Sequence, residues 1–328
     1  MPIAVPVAVP RTESYALGMS RARSIMNGFE VFVGVDQTGA ATSGGSEAKS
    51  LPCSVLFRDE SGWILRATSI TTESPLYLSN FSERSLIDMF TEAGVPDPTR
   101  TVKSARVALL VDCVFGLAVK AWPRNRKSGA QTLRRLFKRA ARDEFGRRGY
   151  GLNAAAAFFE TVLRKSNTPP SRGSYPDREC ELLADANSVF RTHPYQRNIQ
   201  CGTYRIWRDL GRFGSEWVHL RYFERASHLR ERPMLFEAYP SLMWKRALDL
   251  STRHMPSLLV ALDRAFPDVA ISKQDMDAIL SSPDRADAAM LALGGRWLRD
   301  KGQLIDGEIS KSKQLAREGW IVGLPRNH

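Results

Sequence analysis

A chain of 328 residues, 43% of them hydrophobic, is long enough to bury one large core or two smaller ones. Its 47 Lys and Arg residues against 35 Asp and Glu give a net charge of +12, which favours an acidic partner, with nucleic acid first. The four cysteines are far apart, which argues against a disulfide scaffold or a zinc site and favours a reducing cytoplasm. No apolar run approaches the roughly 18 residues of a membrane-spanning helix, so no membrane association is expected.

The first part of the chain is predicted to alternate strands and helices. Residues 1–28 begin "MPIAVPVAVP", with three prolines and no charged leader, and are interpreted as an extended tail and not a signal peptide. The apolar patterns then predict a strand over 30–36, a hairpin of strands over 50–59 and 62–71, a helix over 82–94 and a strand over 106–114. Ser82 is the expected N-cap of that helix, and Gly94 is its expected stop.

Charged and aromatic residues become frequent over 120–228, where the pattern is helical in pieces. The elements predicted after this block are a strand over 232–240, helices over 241–250, 256–265 and 273–280, a helix capped by Ser282 with Pro283 at its first position, and an extended segment over 318–325. This order predicts an α/β fold built around one sheet.

Acidic residues stand at the ends of the predicted strands. Asp36, Asp112 and Glu237 each lie at or just past an apolar run, and Asp284 and Asp287 share one face of the last predicted helix. If the strands are neighbours, the acids converge at one edge of the sheet. Converging carboxylates repel one another unless they take up protons or bind a divalent cation. Two-metal phosphoryl chemistry needs such a cluster, with oxygen ligands that hold hard cations about 4 Å apart.

Each acid also has a structural interpretation. Asp36 could cap the turn "DQTG", Asp112 could be structural, and Glu237 could pair with a nearby arginine. Asp284 could stand at a helix start because the helix dipole favours an acid there, an explanation that is weaker for Asp287, one turn further in. Each signal alone is modest, and the order and spacing of all five together favour a metal site.

The pattern "GVDQTG … LLVDCVFGL … FEAYPS … DRADAAMLAL … EGWIVGLP" resembles the predicted RNase H-like nucleases of domain-of-unknown-function family 429, over 29–119 and 229–326. The segment "DRADAAMLAL" is also similar to the final helix of RuvC-type resolvases. The resemblance implies an α/β fold with an RNase H-like mixed sheet flanked by helices, whose first three strands form a meander. The two parts of this core, 29–119 and 229–328, would be separated by a large basic helical insertion over 120–228.

The same resemblance implies site residues. The implied ligands of Mg²⁺ or Mn²⁺ are Asp36, Asp112, Asp284 and Asp287, with Asp36 central between two ions. The implied catalytic acids are Asp36, Asp112, Glu237 and Asp287, of which Glu237 matches the family's "E-x-Y-P" strand.

A basic helix is the second candidate site. Between Lys120 and Arg148, eleven Lys or Arg stand against two acids, a local net charge of +9. The residues that recur at three- and four-residue spacing are Arg134, Arg135, Lys138, Arg139 and Arg142. We interpret this face as binding the phosphate backbone, with a solvated surface as the alternative. The segment "YRIWRDLGRFGSEW" (204–217) interleaves arginines with aromatics, which could stack on bases or pack an amphipathic helix.

Together these features predict a cytoplasmic, metal-dependent nuclease that hydrolyses phosphodiester bonds of nucleic acid by a two-metal mechanism, without a protein nucleophile. Gly34 and Gly39, beside Asp36, are expected to let backbone or substrate approach closely. One alternative is a non-catalytic nucleic-acid-binding or scaffold protein on the same fold. Another is an actin-like nucleotide-binding protein, because "VDQTG" resembles the phosphate turn of actin-like ATPases, although those need two such lobes and one is found. DNA versus RNA, endo- versus exonuclease and the oligomeric state are left open.

Overall fold

The computed structural model describes residues 28–37, 50–118, 121–122, 129–142, 152–165, 177–184, 186, 188–190, 197–224, 232–250, 255–305 and 318–324. The predicted tail, apart from residue 28, and Gly39 lie outside these ranges. In the part of the chain that is described, no helix is both long enough and apolar enough to cross a membrane.

Eight strands and ten helices form within the described ranges. The strands are β1 (Val31–Val35), β2 (Leu51–Asp59), β3 (Gly62–Arg66), β4 (Tyr77–Leu78), β5 (Val107–Val111), β6 (His219–Leu220), β7 (Met234–Glu237) and β8 (Val269–Ile271). The helices are α1 (Glu83–Ala93), α2 (Pro98–Val102), α3 (Gly129–Ala140), α4 (Leu152–Arg164), α5 (Glu179–Leu183), α6 (Arg197–Arg212), α7 (Pro240–Leu248), α8 (Met255–Ala265), α9 (Lys273–Leu280) and α10 (Pro283–Asp300).

One mixed sheet organises the fold. Its strand order is β6-β7-β5-β1-β2-β3-β8, and the short β4 pairs with β2. Strand β2 runs antiparallel to both β1 and β3, whereas β5 lies parallel to β1 and β7 lies parallel to β5. The predicted α/β class is therefore confirmed, as a mixed sheet flanked by helices.

Helices cover both faces of the sheet, so every residue of β1 and β5 is buried. Side chains alternate between the two faces along a strand. Val31, Val33 and Val35 pack in one hydrophobic core with α1 and with the insertion helices α3, α4 and α6. Phe32, on the opposite face, packs in a second core with α7, α8, α9 and α10.

The described helices of the insertion belong to the core of the sheet. Phe137 of α3, Phe158 of α4 and Trp207 of α6 lie in the same hydrophobic cluster as β1 and β5. The indole Nε1 of Trp207 donates to the carbonyl oxygen of Val114 at 2.8 Å, and Thr203 Oγ1 accepts from Val114 N at 3.2 Å. These bonds fasten α6 to the segment that follows β5, so the insertion helps to build the end of the sheet.

Both capped helices begin as predicted. Ser82 caps α1 with its side chain, and Gly94 ends that helix in the left-handed conformation at φ 76°. Ser282 caps α10, and Pro283 occupies its first turn.

Strand β3 is shorter than the predicted strand over 62–71. It ends at Arg66 because the backbone N–H groups of the next two residues donate hydrogen bonds to a side-chain carboxylate. The backbone N–H groups of Ala67 and Thr68 each donate to Asp275 Oδ1 at 2.9 Å. Asp275 lies in the first turn of α9, so this capping interaction decides where the strand stops.

Two other elements at the edges of the sheet differ from the prediction. Strand β8 was not predicted, since its three residues are too few to show a periodic pattern, yet it pairs in parallel with β3. The segment over 318–325, predicted as a short strand or an extended segment, pairs with the sheet through an isolated bridge of Ile321 to Glu237. Val322 N also donates to the carbonyl oxygen of Glu237 at 2.9 Å.

Candidate metal-binding site

Asp36 and Asp112 follow two neighbouring parallel strands. The register of β1 and β5 sets Val35 opposite Val111, so the two acids form the next pair along the same edge. Asp112 N donates to the carbonyl oxygen of Val35 at 3.0 Å, and the two carboxyl groups are in hydrogen-bonding contact. Asp36 is 4% exposed, and Asp112 is half-buried. The fold therefore brings these two predicted site residues together.

Gly34 lies directly under helix α10. A Cβ atom at this position would come within 1.9 Å of the carbonyl oxygen of Ala288 and 2.8 Å of Ala292 N, so only glycine allows the helix to cross here. Asp287 precedes Ala288 in the helix, and its carboxylate consequently acts on that of Asp36. The close approach predicted at Gly34 is confirmed, with the backbone of α10 as the approaching group.

Asp287 is held by a neighbouring helix. Its side chain is buried, and its Oδ1 accepts a hydrogen bond from Trp244 Nε1 of α7 at 2.8 Å. Asp284 lies one turn earlier on α10 and is half-buried. The two acids predicted on one helix face therefore both lie near Asp36. Asp287 is buried, and Asp284 is closer to the protein surface. Asp36, Asp112, Asp284 and Asp287 are called the aspartate cluster below.

The aspartate cluster favours the protonated, neutral form of the buried Asp36 carboxyl group. Burial raises the pKa of Asp36 to about 10, with further contributions from the charges of Asp112, Asp287 and Asp284. A carboxyl group with this pKa keeps its proton at neutral pH when no cation is near. A bound cation would replace that proton, because metal ligands bind in their deprotonated form.

Two arginines lie beside the end of β1. Cys53 of β2 stands opposite Val35. Burial raises the pKa of the Cys53 thiol, and the charges of Arg205 on α6 and Arg285 on α10 act in the opposite direction. Neither arginine was expected here from the sequence, although Arg285 lies inside the "DRAD" motif. Arg205 is buried, and Arg285 is half-buried.

Glu237 lies at the same edge, one strand beyond Asp112, because β7 sets it opposite Val111. Arg178 pairs with both of its carboxylate oxygens, with Nη2 at 2.5 Å from Oε1 and Nη1 at 2.8 Å from Oε2. Oε2 also accepts from Phe115 N at 3.0 Å. The arginine partner that was one of the two interpretations of Glu237 is therefore present. It makes Glu237 a charge-compensated acid beside the aspartate cluster.

The basic face predicted for phosphate binding is exposed in part. Arg134 is turned toward the protein, where Nη2 lies 2.6 Å from Glu224 Oε1 and Nη1 donates to Ser215 Oγ at 2.7 Å. The side chains of this set that reach the surface fully or in part are those of Arg135, Lys138, Arg139 and Arg142. A phosphate backbone could therefore contact four members of the set, and the fifth belongs to an internal ion pair.

The aromatic residues at the start of the segment over 204–217 are buried. Tyr204 and Trp207 are 4% and 0% exposed, and the Trp207 ring packs edge-on against Phe137 with 5.5 Å between ring centroids. Buried rings cannot stack on bases, so for these two residues the amphipathic-helix interpretation is correct.

Asp112, alone of the aspartate cluster, and the Glu237–Arg178 pair border one small depression of about 30 Å³ at this edge of the sheet. Gln37, Asp112, Arg178 and Glu237 are among the residues that line it. Gln37 was not singled out from the sequence, although it directly follows Asp36 in the quoted motif.

Within the described ranges, no three His, Cys, Asp or Glu side chains already stand in a metal-binding arrangement. The donor chemistry of the aspartate cluster nevertheless fits a hard divalent cation, since all four members offer carboxylate oxygens. No protein-family model matches the chain, and neither a curated protein nor a solved structure matches it.

Proposed function

We propose that this protein is a metal-dependent nuclease that hydrolyses phosphodiester bonds in nucleic acid, with Asp36 at the centre of its site. The observation that carries the proposal is the convergence on buried Asp36 of the charges of Asp112, Asp284 and Asp287. Like charges gathered in a buried place destabilise a fold unless a proton or a cation compensates them. A cluster of this kind is unfavourable as a purely structural feature and is useful as a site for Mg²⁺ or Mn²⁺.

The strand order supports an RNase H-like fold. Strands β1, β2 and β3 form an antiparallel meander, and β5 and β7 continue the sheet beyond β1 in parallel. This is the meander that the resemblance implies. Asp36 and Asp112 follow β1 and β5, two neighbouring parallel strands in which every residue is buried.

The chain's own residues would bind and orient the reacting groups. Divalent ions, when bound, supply the activation of water and the stabilisation of the leaving oxygen. Asp36 and Asp112 would hold them from the ends of buried strands, and Trp244 fixes the orientation of Asp287 through its indole N–H. Arg285, half-buried in the first turn of α10 beside Asp284, would provide positive charge for a substrate phosphate.

The surface of α3 supports a polyanionic substrate. Arg135 and Lys138 of α3 and Arg142 of the turn after it are exposed, and the chain carries a net charge of +12. Lys and Arg contacts to phosphates release counterions, which favours binding to nucleic acid over small phosphodiesters.

The test is cleavage of labelled single-stranded and double-stranded DNA and RNA by the purified full chain in Mg²⁺ or Mn²⁺. Asp36→Asn and Asp287→Asn should abolish cleavage. Asp88→Asn, at an exposed aspartate of α1, is the matched control and should cut as the wild type does. Cleavage by Asp36→Asn at the wild-type rate would contradict the proposal. Metal-independent binding without any cleavage would instead favour the non-catalytic nucleic-acid-binding alternative.

A further inference from the structure

Tyr77 is an aromatic residue that the fold leaves exposed near the aspartate cluster. It is the first residue of β4 and is 49% exposed, whereas Leu78 beside it is buried. Single exposed apolar side chains are common on folded proteins, so exposure by itself assigns no function to Tyr77. Its position in the sheet is what separates it from other exposed rings.

Strand pairing places Tyr77 in one row with Asp36. The backbone N–H of Asp36 donates to the carbonyl oxygen of Pro52 at 3.1 Å, and Pro52 is paired in turn with Tyr77. The row therefore crosses from the end of β1 through the start of β2 to β4. Neighbouring strands lie about 4.8 Å apart, so the backbone of Tyr77 lies about 10 Å from that of Asp36, at the same edge of the sheet.

Tyr77 and Asp36 also lie on the same face of the sheet. Leu78, the next residue of β4, packs in the hydrophobic core with the insertion helices. Side chains alternate along a strand, so Tyr77 belongs to the opposite face, which α10 covers at Gly34. Asp36 is two residues after Gly34 and shares that face by the same alternation. An exposed ring therefore stands beside the buried acid on one face of the sheet.

An aromatic ring at this distance fits a nucleobase of a bound strand. Proteins that bind single strands stack bases on aromatic side chains, and every base offers a π-face for this contact. In a duplex the bases are stacked on one another, so aromatic stacking is typical of the recognition of unpaired nucleotides. Stacked nucleotides of one strand lie about 3.4 Å apart, so about 10 Å corresponds to about three nucleotides at most.

We propose that Tyr77 stacks on an unpaired nucleobase of the substrate, about one to three nucleotides from the phosphate that reacts at the aspartate cluster. This inference rests on the proposed nuclease function, and it names the substrate class as a nucleic acid with a single-stranded segment at the site. The exposed cations of α3 would contact phosphates, whereas Tyr77 would contact a base. The contact uses the ring and does not need the phenol oxygen.

The test measures binding to the full chain by fluorescence anisotropy in chelator, where metal-dependent cleavage does not occur. The probes are short labelled single strands of DNA and RNA, the blunt DNA duplex of the same sequence, and an abasic DNA strand of the same length. Tyr77→Ala should weaken binding to both base-bearing single strands by about five- to a hundredfold, the effect of losing one base stack. Its affinity for the duplex and for the abasic strand should equal that of the wild type. Tyr77→Phe keeps the ring and should bind every probe as the wild type does.

Phe213→Ala is the matched control, because Phe213 is a ring of similar exposure, 47%, in a different part of the fold. Thr203 of α6 is bonded to Val114 N, close after Asp112, and Phe213 follows the far end of that helix, about 15 Å further along its axis. Phe213→Ala should bind every probe as the wild type does. A loss as large as that of Tyr77→Ala would show that the position of Tyr77 is not special and would overturn the inference.

The other outcomes separate this inference from the proposed function. Wild-type affinity of Tyr77→Ala for the single strands would overturn the inference and leave the nuclease proposal standing. An equal loss on the abasic strand or the duplex, or a loss in Tyr77→Phe as large as in Tyr77→Ala, would show that no unpaired base stacks on the ring. If Asp36→Asn cleaves at the wild-type rate while Tyr77→Ala weakens binding to base-bearing single strands alone, the metal site fails and the base contact stands. If the wild type binds no probe, both fail. Should Tyr77→Ala not fold, Tyr77→Leu, which keeps apolar bulk without a ring, takes its place with the same expectations.

Discussion

The guanidinium group of Arg178 holds both carboxylate oxygens of Glu237, at 2.8 Å and 2.5 Å. Arg178 also donates to Glu181 Oε1 at 2.9 Å and to the carbonyl oxygen of Glu318 at 3.1 Å, and it is 1% exposed. One buried cation therefore joins the insertion, strand β7 and the C-terminal segment. A bidentate ion pair of this kind fixes the relative orientation of the two side chains and also compensates the charge of Glu237.

Removing Arg178 should destabilise the protein strongly. Arg178→Met leaves Glu237 and Glu181 buried without their cation, and breaking one partner of a buried pair costs about 3–5 kcal/mol. Adding Glu237→Gln in the same chain should restore part of the loss, because it removes one of the two uncompensated charges. Urea unfolding measures both. Arg84→Met, which breaks the exposed pair with Asp88, is the control and should change stability by less than about 1 kcal/mol. A double variant that loses the full sum of the two single changes would show that the residues are not coupled.

Gly34→Ala should be more destabilising than Gly295→Ala, although both substitutions lie in the contact between α10 and the sheet. The methyl group at Gly34 would meet the backbone of Ala288, which cannot move aside, and overpacking of this kind costs about 1–3 kcal/mol or more. The methyl group at Gly295 would meet the end of the Leu110 side chain, at 2.5 Å, which can rotate. Replacing Gly295 with Ala also stabilises helix α10 by about 1 kcal/mol, because alanine has the higher helix propensity. Equal urea midpoints for the two variants would contradict the close crossing at Gly34.

The exposed cations of α3 and of the turn that follows it should control how strongly nucleic-acid binding depends on salt. Replacing Arg135, Lys138 and Arg142 with Ala should lower the slope of log affinity against log salt on duplex DNA, by about 0.9 for each phosphate that the variant no longer neutralises. Arg134→Ala should leave that slope unchanged and reduce stability, because it breaks the internal pair with Glu224.

A charge-matched control removes three exposed cations from a different part of the chain. The variant with Ala at Arg84, Arg100 and Lys103 changes the net charge equally, from α1 and the region of α2. If both triple variants lower the slope alike, net charge alone governs binding and α3 is only a solvated face.

Asp275 should make stability depend on pH in the acid range. Burial by itself raises the pKa of Asp275, but hydrogen bonds from Ser272, Thr68, Ala67 and Arg66 outweigh it and lower the pKa below the ordinary value of 3.8. A lowered pKa in the folded state means that the stabilisation is complete above about pH 4 to 5 and is lost as the pH falls through the lowered value. The free energy of unfolding of wild type should therefore exceed that of Asp275→Asn at pH 7, and the difference should shrink toward pH 3. A difference that stays constant over this range would show that the charge of Asp275 does not contribute.

The predicted strands over 30–36 and 106–114 and the capped helices α1 and α10 are present because their signals are local. An apolar run, a Ser N-cap and a glycine C-cap each determine structure within a few residues, so the local sequence is enough to predict these elements. The end of β3 and the existence of β8 could not be predicted in this way. Strand β3 stops where Asp275, more than two hundred residues away in sequence, accepts hydrogen bonds from the backbone amides of Ala67 and Thr68. Strand β8 exists because an edge of the sheet is there to receive three residues.

The order of residues was enough to show which acids follow buried strands and that two more share a helix face. Only the tertiary structure determines which of these acids lie close together and which of them form ion pairs. Glu237 follows its strand as Asp112 does, but its partner Arg178 lies 59 positions away. Arg134 and its neighbour Arg135 are the same residue type in the same basic run, yet the fold pairs Arg134 with Glu224, 90 positions away, and exposes Arg135. Charge interactions and burial depend on distances in three dimensions, and these distances cannot be calculated from the separation of residues along the chain.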